Sequence, residues 1–391
     1  MRILYHHRIR SKDGQYVHLE EMVRALRSQG HDVEIVGPRH VETEEFGADA
    51  GFVAALKRWM PGAAYEVLEL SYALADYQRL AAVIRRFRPD VIYERYNLYF
   101  PSGVWARRRF GVPLMLEVNA PLFEERSRFG GLALPALARR TEQYVWRGAD
   151  VVLPVTEVLA GRVAAAGVPR ERIRVIPNGI NEEAFANLPS PQQAKRALGL
   201  EGRFVLGFVG FMRDWHGLDR VLRFMAEQPR RDLHALFIGD GPDRARLERI
   251  AGELGLEDRL TVTGVLGRDK VPAAVAAFDL ALQPAVVDYA SPLKLFEYLY
   301  VGLPIVAPDS PNIREILVPD DNGLLFDPRS DASFFAALSR GLDDEVLRRR
   351  LARRARETVE QRGLTWNANA RKVSALAAEI LGAGRSHPCA A

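Results

Sequence analysis

Residues 291–317 read SPLKLFEYLYVGLPIVAPDSPNIREIL, a helix-like stretch followed by a Gly-Leu-Pro turn and a short apolar run. Ser291 is a favoured N-cap residue and Pro292 suits the first helical position, so we expect a helix that begins at Pro292. The apolar run at 304–307 predicts a buried strand. A helix followed directly by a strand of this kind is typical of a parallel α/β domain.

The same alternation of strand-like and helix-like stretches extends along the whole chain. Apolar residues recur at helical spacing, for example at Tyr16, Leu19, Val23 and Leu26. Apolar runs predict strands at 2–5, 33–36, 90–93, 113–118, 150–153, 172–176, 204–209, 233–238, 259–263, 279–283, 304–307 and 323–326. Two such series predict an α/β fold with two doubly wound parallel sheets, each covered by helices on both faces.

The boundary between the two series is expected near 178–202, where an Asn-Gly turn signal occurs without a strand pattern. We therefore predict an N-terminal domain at 1–185 and a C-terminal domain at 186–363. The last helical segment, about 364–381, is expected to pack back on the first domain.

The composition excludes several classes of protein. The chain has 391 residues, of which 48% are hydrophobic and 27% charged, as in ordinary globular proteins. No apolar run approaches the roughly 20 residues that cross a bilayer, and the start MRILYHH has no long apolar region of a signal peptide. The single cysteine, Cys389, allows no intrachain disulfide, which favours a cytoplasmic protein.

The net charge is +4, and 48 of the 54 basic residues are arginines. Two interpretations stay open: a genome that favours arginine codons, or attraction to phosphates or anionic lipid. No basic run with interleaved aromatic residues occurs, so we expect no nucleic-acid partner.

In open α/β sheets, ligands bind beyond the carboxyl ends of the strands, so the loops after strands are candidate sites. In the first such loop, residues 6–18, Asp13 and Gly14 predict a tight turn before a helix whose amides could hold an anion. A plain structural turn is an equal alternative. No G-x-G-x-x-G or P-loop pattern occurs there, which argues against a dinucleotide-binding or NTPase fold.

Two places in the second half combine strand ends with cations. Gly210 ends a strand, and Arg213 and His216 follow before the next helix, where both could bind a diphosphate. Alternatively, His216 only packs the loop together with Trp215. Lys294 would add charge to an anion site at the amides of the helix that follows Ser291.

Glu297 lies three residues after Lys294 and therefore on the same helix face. Its carboxylate could accept hydrogen bonds from two neighbouring sugar hydroxyls. A capped helix with a simple Lys–Glu ion pair is the alternative.

Several segments, in this order and spacing, resemble retaining glycosyltransferases of family 4, which have the GT-B fold of two Rossmann-like domains facing across a cleft. They are DGQYVHLEEMVRALRSQGHDV, VIPNGIN, FVGFMRDWHGLD, FIGDGPDRARLERIAGELGLEDRLTVTGVL, SPLKLFEYLYVGLPIVAPDSPNIREIL and DNGLLFDP. The resemblance implies a nucleotide-sugar donor held mainly by the second domain. The donor-binding residues that it implies are Gly14, Glu117, Gly210, Gly264, Val265, Ser291, Pro292, Leu293 and Glu297. The residues assigned to the chemistry are Arg213, Lys294, His216 and Asn119.

Within this set, the resemblance places Gly264 and Val265 beside the nucleobase and Glu297 on the ribose. Ser291, Leu293 and Lys294 would lie beside the diphosphate, and Gly14 would face the donor phosphate or the acceptor. Glu117 and Asn119 occupy the loop where many relatives have a histidine near the transferred sugar.

The sequence departs from the family pattern at three places. Tyr289 stands where the first acid of the paired-glutamate motif is expected, with Asp288 adjacent. Phe211 and His216 stand where the usual phosphate-binding Arg and Lys are found, and Arg213 and Lys294 are candidates to replace their charges. Asn119 replaces the histidine.

The resemblance implies transfer of a sugar to an acceptor hydroxyl with retention of configuration, without a metal or cofactor, in cell-envelope or extracellular polysaccharide or glycolipid synthesis. The alternatives are a degenerate, non-catalytic nucleotide-sugar-binding module and a GT-B sugar-nucleotide epimerase. The acceptor is expected to be a glycan or a lipid-linked sugar. Basic residues in 52–88, Lys57, Arg58 and Arg85 among them, favour peripheral contact with an anionic membrane on its inner face, or alternatively a solvated helix face.

Overall fold

The computed structural model describes residues 1–9, 14–38 and 60–385, and the chain divides into two compact units. Unit 1 comprises Met1–Pro177, Tyr289–Ser291 and Trp366–Ala391. Unit 2 comprises Asn178–Asp288 and Pro292–Thr365. The sequence analysis places the first boundary at 185, whereas the contacts within the chain divide it at 177.

Unit 1 is built on a sheet of five parallel strands. They are β1 (Arg2–His6), β2 (Asp32–Val36), β3 (Val91–Arg95), β4 (Leu114–Val118) and β5 (Val151–Pro154), in the order β2-β1-β3-β4-β5. The helices of its first part are α1 (Gly14–Ser28), α2 (Gly62–Phe87), α3 (Ser102–Phe110), α4 (Leu122–Glu125), α5 (Pro135–Gly148) and α6 (Glu157–Ala165). The strand order reverses at β1, because β2 lies on one side of it and β3 on the other.

Unit 2 has a second parallel sheet, of six strands. They are β6 (Phe204–Val209), β7 (Leu233–Ile238), β8 (Leu260–Val262), β9 (Leu280–Leu282), β10 (Ile305–Pro308) and β11 (Leu324–Phe326), in the order β11-β10-β9-β6-β7-β8. Its helices are α7 (Pro191–Ala197), α8 (Asp219–Glu227), α9 (Arg244–Glu253), α10 (Val271–Val275), α11 (Leu293–Val301), α12 (Pro311–Arg314), α13 (Asp331–Asp343) and α14 (Glu345–Arg362). The strand order of this sheet reverses at β6.

Alternating residues of the strands in unit 2 belong to two separate cores. Val205 and Leu236 lie in one buried cluster, whereas Leu206 and Phe237 lie in the other. Because successive side chains of a strand point to opposite faces, helices must cover both faces of the sheet. The predicted α/β fold with two doubly wound parallel sheets is therefore confirmed.

The last helix, α15 (Trp366–Arg385), belongs to unit 1. Gln29 donates a hydrogen bond to the carbonyl of Asn367, and a ring nitrogen of His31 lies 2.7 Å from the Ser374 hydroxyl. In α1, Leu19, Val23 and Leu26 are buried, as their helical spacing indicates.

One predicted strand, 172–176, is wrong. Ile173 makes an isolated bridge to Val152, and the amides of Arg174 and Ile176 donate to β5, but no ladder forms. Pro154 of β5 has no amide hydrogen to donate in return, so the pairing stops after one bridge.

The predicted start of the helix at Pro292 is also wrong, by one residue. The helix α11 begins at Leu293, and Pro292 is its N-cap, with extended backbone (ψ 120°). Lys294 is therefore the second helical residue and not the third.

Some expectations fall outside the described residues, namely those on Asp13, Lys57, Arg58, Trp59 and Cys389. Within residues 1–9, 14–38 and 60–385, no helix is both long enough and apolar enough to span a membrane.

Candidate functional site

Three glycines line the carboxyl edge of the sheet in unit 2. Gly210, Gly239 and Gly264 follow β6, β7 and β8, and their φ angles are +145°, +128° and +69°. A Cβ placed on Gly239 would lie 2.3 Å from the carbonyl oxygen of Gly210, and Gly239 pairs with Gly264 in an isolated bridge. Side chains are therefore excluded here, at the point where the strand order reverses and where open α/β sheets bind ligands.

Lys294 reaches this edge from α11. A Cβ on Gly210 would lie 3.2 Å from the Lys294 Nζ atom, which also lies 4.0 Å from the centre of the Phe208 ring. No carboxylate of the described ranges forms an ion pair with Lys294. Burial therefore lowers the pKa of Lys294 to about 7, although the charge of Glu297 acts in the opposite direction.

Glu297, one turn further along α11, is the partner in this titration. Burial raises the pKa of Glu297 to about 7, while the charges of Lys294 and Arg268 oppose that shift. The two groups are thus poised to gain or lose a proton near neutral pH. A bound anion beside Lys294 would favour its charged form.

His216 lies behind Lys294, in the 3-10 turn Asp214–His216. The expectation that it begins a helix is wrong, because α8 begins at Asp219. The Nδ1 atom of His216 accepts a hydrogen bond from the Arg213 amide at 3.1 Å, so the proton of the neutral ring is on Nε2. Burial, followed by the charge of Lys294, lowers the pKa of His216 to about 3, so the ring is a neutral hydrogen-bond donor.

The turn carries two exposed side chains beside His216. The Trp215 ring stacks on the His216 ring with centroids 3.9 Å apart, yet 48% of Trp215 remains exposed. The Arg213 side chain is exposed, and its guanidinium lies 5.2 Å from the centre of the Phe211 ring. Val265, after β8, is also exposed. The predicted packing of Trp215 with His216 and the predicted availability of Arg213 are thus both present.

The remaining predicted residues belong to unit 1. Gly14 is the first residue of α1, one turn before His18. His18 Nε2 lies 2.8 Å from Glu117 Oε2, which also accepts from the Tyr93 hydroxyl at 2.7 Å. Asn119, half-buried, donates to the Glu117 carboxylate. The structure therefore brings Gly210, His216, Lys294 and Glu297 together in unit 2, and Glu117 and Asn119 together in unit 1.

Sequence reasoning missed a buried cluster at the strand reversal of unit 1. His6, the last residue of β1, has Nδ1 2.6 Å from Glu94 and Nε2 2.8 Å from Asp76. Both ring nitrogens face carboxylates, so both carry protons. Burial opposes this charge, but Asp76 and Glu94 raise the pKa of His6 to about 9. The position of His6 at a strand end was the available signal.

Tyr289, in place of the expected first acid, is grouped with unit 1. Its hydroxyl hydrogen-bonds the Glu125 carboxylate, and the Arg162 guanidinium lies 5.2 Å from the centre of its ring. Ser291 is in the same group, whereas Pro292 and Leu293 belong to unit 2. In the described residues, no group of three or more His, Cys, Asp or Glu could hold a metal ion.

Comparisons with known sequences cover both units. Residues 13–179 match the glycosyl transferase 4-like domain, and residues 191–358 match the glycosyl transferases group 1 family. The chain is 27% identical over 310 residues to 2-deoxystreptamine glucosyltransferase of Streptomyces kanamyceticus, covering 75% of each chain. It is 26% identical over 363 residues to sulfoquinovosyl transferase SQD2 of Arabidopsis thaliana, covering 90% of this chain and 68% of that protein.

Comparisons with solved structures support the same fold. The chain is similar to Anabaena HepE in complex with UDP, with a TM-score of 0.77, 18% identity and coverage of 97% of this chain and 100% of that one. It is also similar to sucrose-phosphate synthase from Thermosynechococcus elongatus, with a TM-score of 0.79, 19% identity and coverage of 98% and 100%. From the two matched domains and this fold, we conclude that the chain belongs to the GT-B glycosyltransferases, with a glycosyl transferase 4-like domain followed by a group 1 domain.

Proposed function

We propose that the protein is a retaining glycosyltransferase that moves a sugar from a nucleotide-sugar donor to a hydroxyl of a glycan or lipid-linked acceptor, in cell-envelope or extracellular polysaccharide or glycolipid synthesis. One observation carries the proposal. The Lys294 ammonium has no carboxylate partner in the described residues and lies against the glycine-lined edge of the unit 2 sheet. A diphosphate would supply the missing negative charge.

In the proposed reaction, the bond between the anomeric carbon and the diphosphate oxygen breaks while a bond to the acceptor oxygen forms on the same face. The leaving phosphate oxygen takes the acceptor proton, so no nucleophile from the chain is assigned. Lys294, Arg213 and the neutral His216 ring would stabilise the charge that develops on the diphosphate.

The donor assignments follow the same edge of unit 2. The backbone of Gly264 and Val265 would border the nucleobase, and Glu297 would bind the ribose. Gly210, together with the first turn of α11, would let the diphosphate approach the backbone closely. The complexes of Anabaena HepE with UDP and with UDP-glucose support binding of a nucleotide sugar by this fold.

The outer face of α2 supports an acceptor at a membrane. Val67, Leu68 and Leu74 are exposed on this helix, at 53%, 44% and 58%, and the exposed Arg85 and Arg86 follow near its end. Exposed apolar residues beside cations suit peripheral contact with anionic lipid. Flotation with vesicles that contain phosphatidylglycerol, compared with neutral vesicles, tests this contact, and a Val67→Ser/Leu74→Ser variant should no longer float.

Donor hydrolysis tests the proposed function. The purified protein is incubated with UDP-, GDP-, ADP- and dTDP-sugars, and the released nucleoside diphosphate is measured. Slow release from one donor, abolished in Lys294→Ala, supports a transferase. Binding of one nucleotide without release, even with acceptor glycolipids present, would instead favour the non-catalytic binding module that the change to Tyr289 allows. Neither release nor binding would contradict the proposal.

A further inference from the structure

The carboxylate of Glu117 is fully used by other side chains of unit 1. It is 2% exposed, at the end of β4. Its Oε2 atom faces His18 and Tyr93, and its Oε1 atom faces Arg95 and Asn119, with Arg95 Nη1 at 2.7 Å. A carboxylate offers about four acceptor positions. None is therefore left for a ligand.

This network fixes which way the Asn119 amide points. Burial by itself would raise the pKa of Glu117, but His18, Arg95 and the hydrogen bonds lower it to about 2, so the group is a carboxylate at neutral pH. A carboxylate only accepts hydrogen bonds, so Asn119 must present its NH2 group to it. The carbonyl oxygen Oδ1 of Asn119 is then turned away from Glu117, and no partner for it is found within the described ranges.

From this geometry we propose that Glu117 is a positioning residue, which holds Asn119 so that its Oδ1 atom accepts a hydrogen bond from a hydroxyl of the transferred sugar. The inference rests on the proposed function, because it takes Asn119 to lie beside that sugar. It changes the role of Glu117 from donor ligand to the group that orients one.

The network is braced from three sides. Arg95 on β3 pairs in register with Glu117 on β4. His18 on α1 contacts Glu117, and the Trp366 ring at the start of α15 lies edge-on to His18 with centroids 4.7 Å apart. Asn119 is thus held by a group that cannot easily move.

The orientation has a consequence for the substrate. A carbonyl oxygen accepts from a hydroxyl or amino group but repels another acceptor. The site should therefore favour a sugar with a hydroxyl at the position facing Asn119 over one with a carboxylate there.

A double-mutant cycle tests this role. The kcat for hydrolysis of the donor found in the panel is measured for Glu117→Gln, Asn119→Ala and the double variant. Asn119→Ala should lower kcat about tenfold, as for one lost hydrogen bond. Glu117→Gln should lower kcat several-fold in the wild type but no further in the Asn119→Ala background. Multiplying effects would overturn the proposal.

Glu94→Gln is the matched control. Glu94 is buried on β3 next to Arg95, but it bonds His6 and so lies on the opposite face of the sheet. Its effect on kcat should multiply with that of Asn119→Ala, since it does not act through that residue.

A measurement that needs no activity completes the test. In protein labelled with 15N-asparagine, the Asn119 side-chain amide, assigned by its loss in Asn119→Ala, should be protected from hydrogen exchange and lose protection in Glu117→Ala. Glu117→Gln, with weaker protection, replaces Glu117→Ala should that variant not fold. An unprotected amide in the wild type would overturn the proposal. If no donor is hydrolysed, the proposed function fails, whereas this measurement still decides the role of Glu117.

Discussion

The ammonium nitrogen of Lys294 lies 4.0 Å from the centre of the Phe208 ring. A cation over an aromatic ring gains about 0.5–2 kcal/mol, which does not offset burial, so the pKa of Lys294 is lowered to about 7. This pair therefore holds the lysine in a state that an anion would stabilise.

Lys294→Ala is expected to lower donor turnover at least tenfold, because a charge on the leaving diphosphate would lose its nearest cation. Steady-state release of nucleoside diphosphate measures this. Lys270→Ala removes an exposed lysine of the same unit and should leave turnover unchanged. Full activity in Lys294→Ala would remove Lys294 from the diphosphate site.

Donor affinity is expected to weaken between pH 6 and pH 8. Lys294 loses its proton above a pKa of about 7, and Glu297 becomes negative over the same range, so both changes disfavour an anion at higher pH. Titration calorimetry with the donor found in the panel measures the dependence. Lys294→Ala and Glu297→Gln should each remove part of it, and an affinity that is constant or rises with pH would contradict the assignment.

Gly239→Ala is expected to abolish donor binding and to destabilise unit 2, since the new Cβ would lie 2.3 Å from the carbonyl oxygen of Gly210. Gly199→Ala is the matched control, because Gly199 also has positive φ (+69°) but nothing within 4 Å of a new Cβ. Thermal unfolding and donor binding compare the two. Equal losses in both variants would show that φ strain, and not the close approach to Gly210, is responsible.

The fold was predictable because strands buried on both faces read as short apolar runs between turn residues. The failure at 172–176 has a tertiary cause. Whether Ile173 continues a ladder depends on Pro154 in the neighbouring strand, and an apolar run carries no information about its partner.

The candidate site was predictable where residues follow strands or begin helices, as Gly210 and Lys294 do. His18, Tyr93 and Arg95 were missed because they lie within a helix or a strand and contact Glu117 only through the packing of α1 and the register of β3 with β4. Such contacts require the sheet order, which the sequence pattern alone does not provide.

The buried His6 is expected to make stability depend on pH. Its folded pKa is about 9, above the model value of 6.5, so its contribution is fully present below pH 6.5 and is lost as the pH rises through 9. The destabilisation caused by His6→Asn, measured by urea unfolding, should thus be larger at pH 6 than at pH 9.5, by up to a few kcal/mol.

His234→Asn is the control for this titration. Burial lowers the pKa of His234 to about 4, so the folded protein holds this ring neutral at pH 6.5 and above. The cost of His234→Asn should be nearly constant between pH 6.5 and pH 9.5. A His6→Asn cost that is equally constant would show that His6 is not charged in the folded protein.

Gly103→Ala is expected to destabilise the protein although alanine is the better helix former. Gly103 lies in the first turn of α3, and a Cβ there would lie 1.9 Å from Glu94 Oε2, which is buried and held by His6. We expect a loss above about 2 kcal/mol, as for overpacking of a core. Gly161→Ala in α6, with open space around its Cβ, should instead stabilise by up to about 1 kcal/mol.

The cause of that loss can be separated from helix propensity by a second substitution. In a Glu94→Ala background the obstructing carboxylate is gone, so Gly103→Ala should cost less than it does in the wild type, and the two effects should be strongly non-additive. If Gly103→Ala costs the same in both backgrounds, the glycine is required for the backbone of α3 and not for Glu94. Because Glu94 binds His6, the non-additivity would also show that the space at Gly103 permits the buried His6 cluster to form.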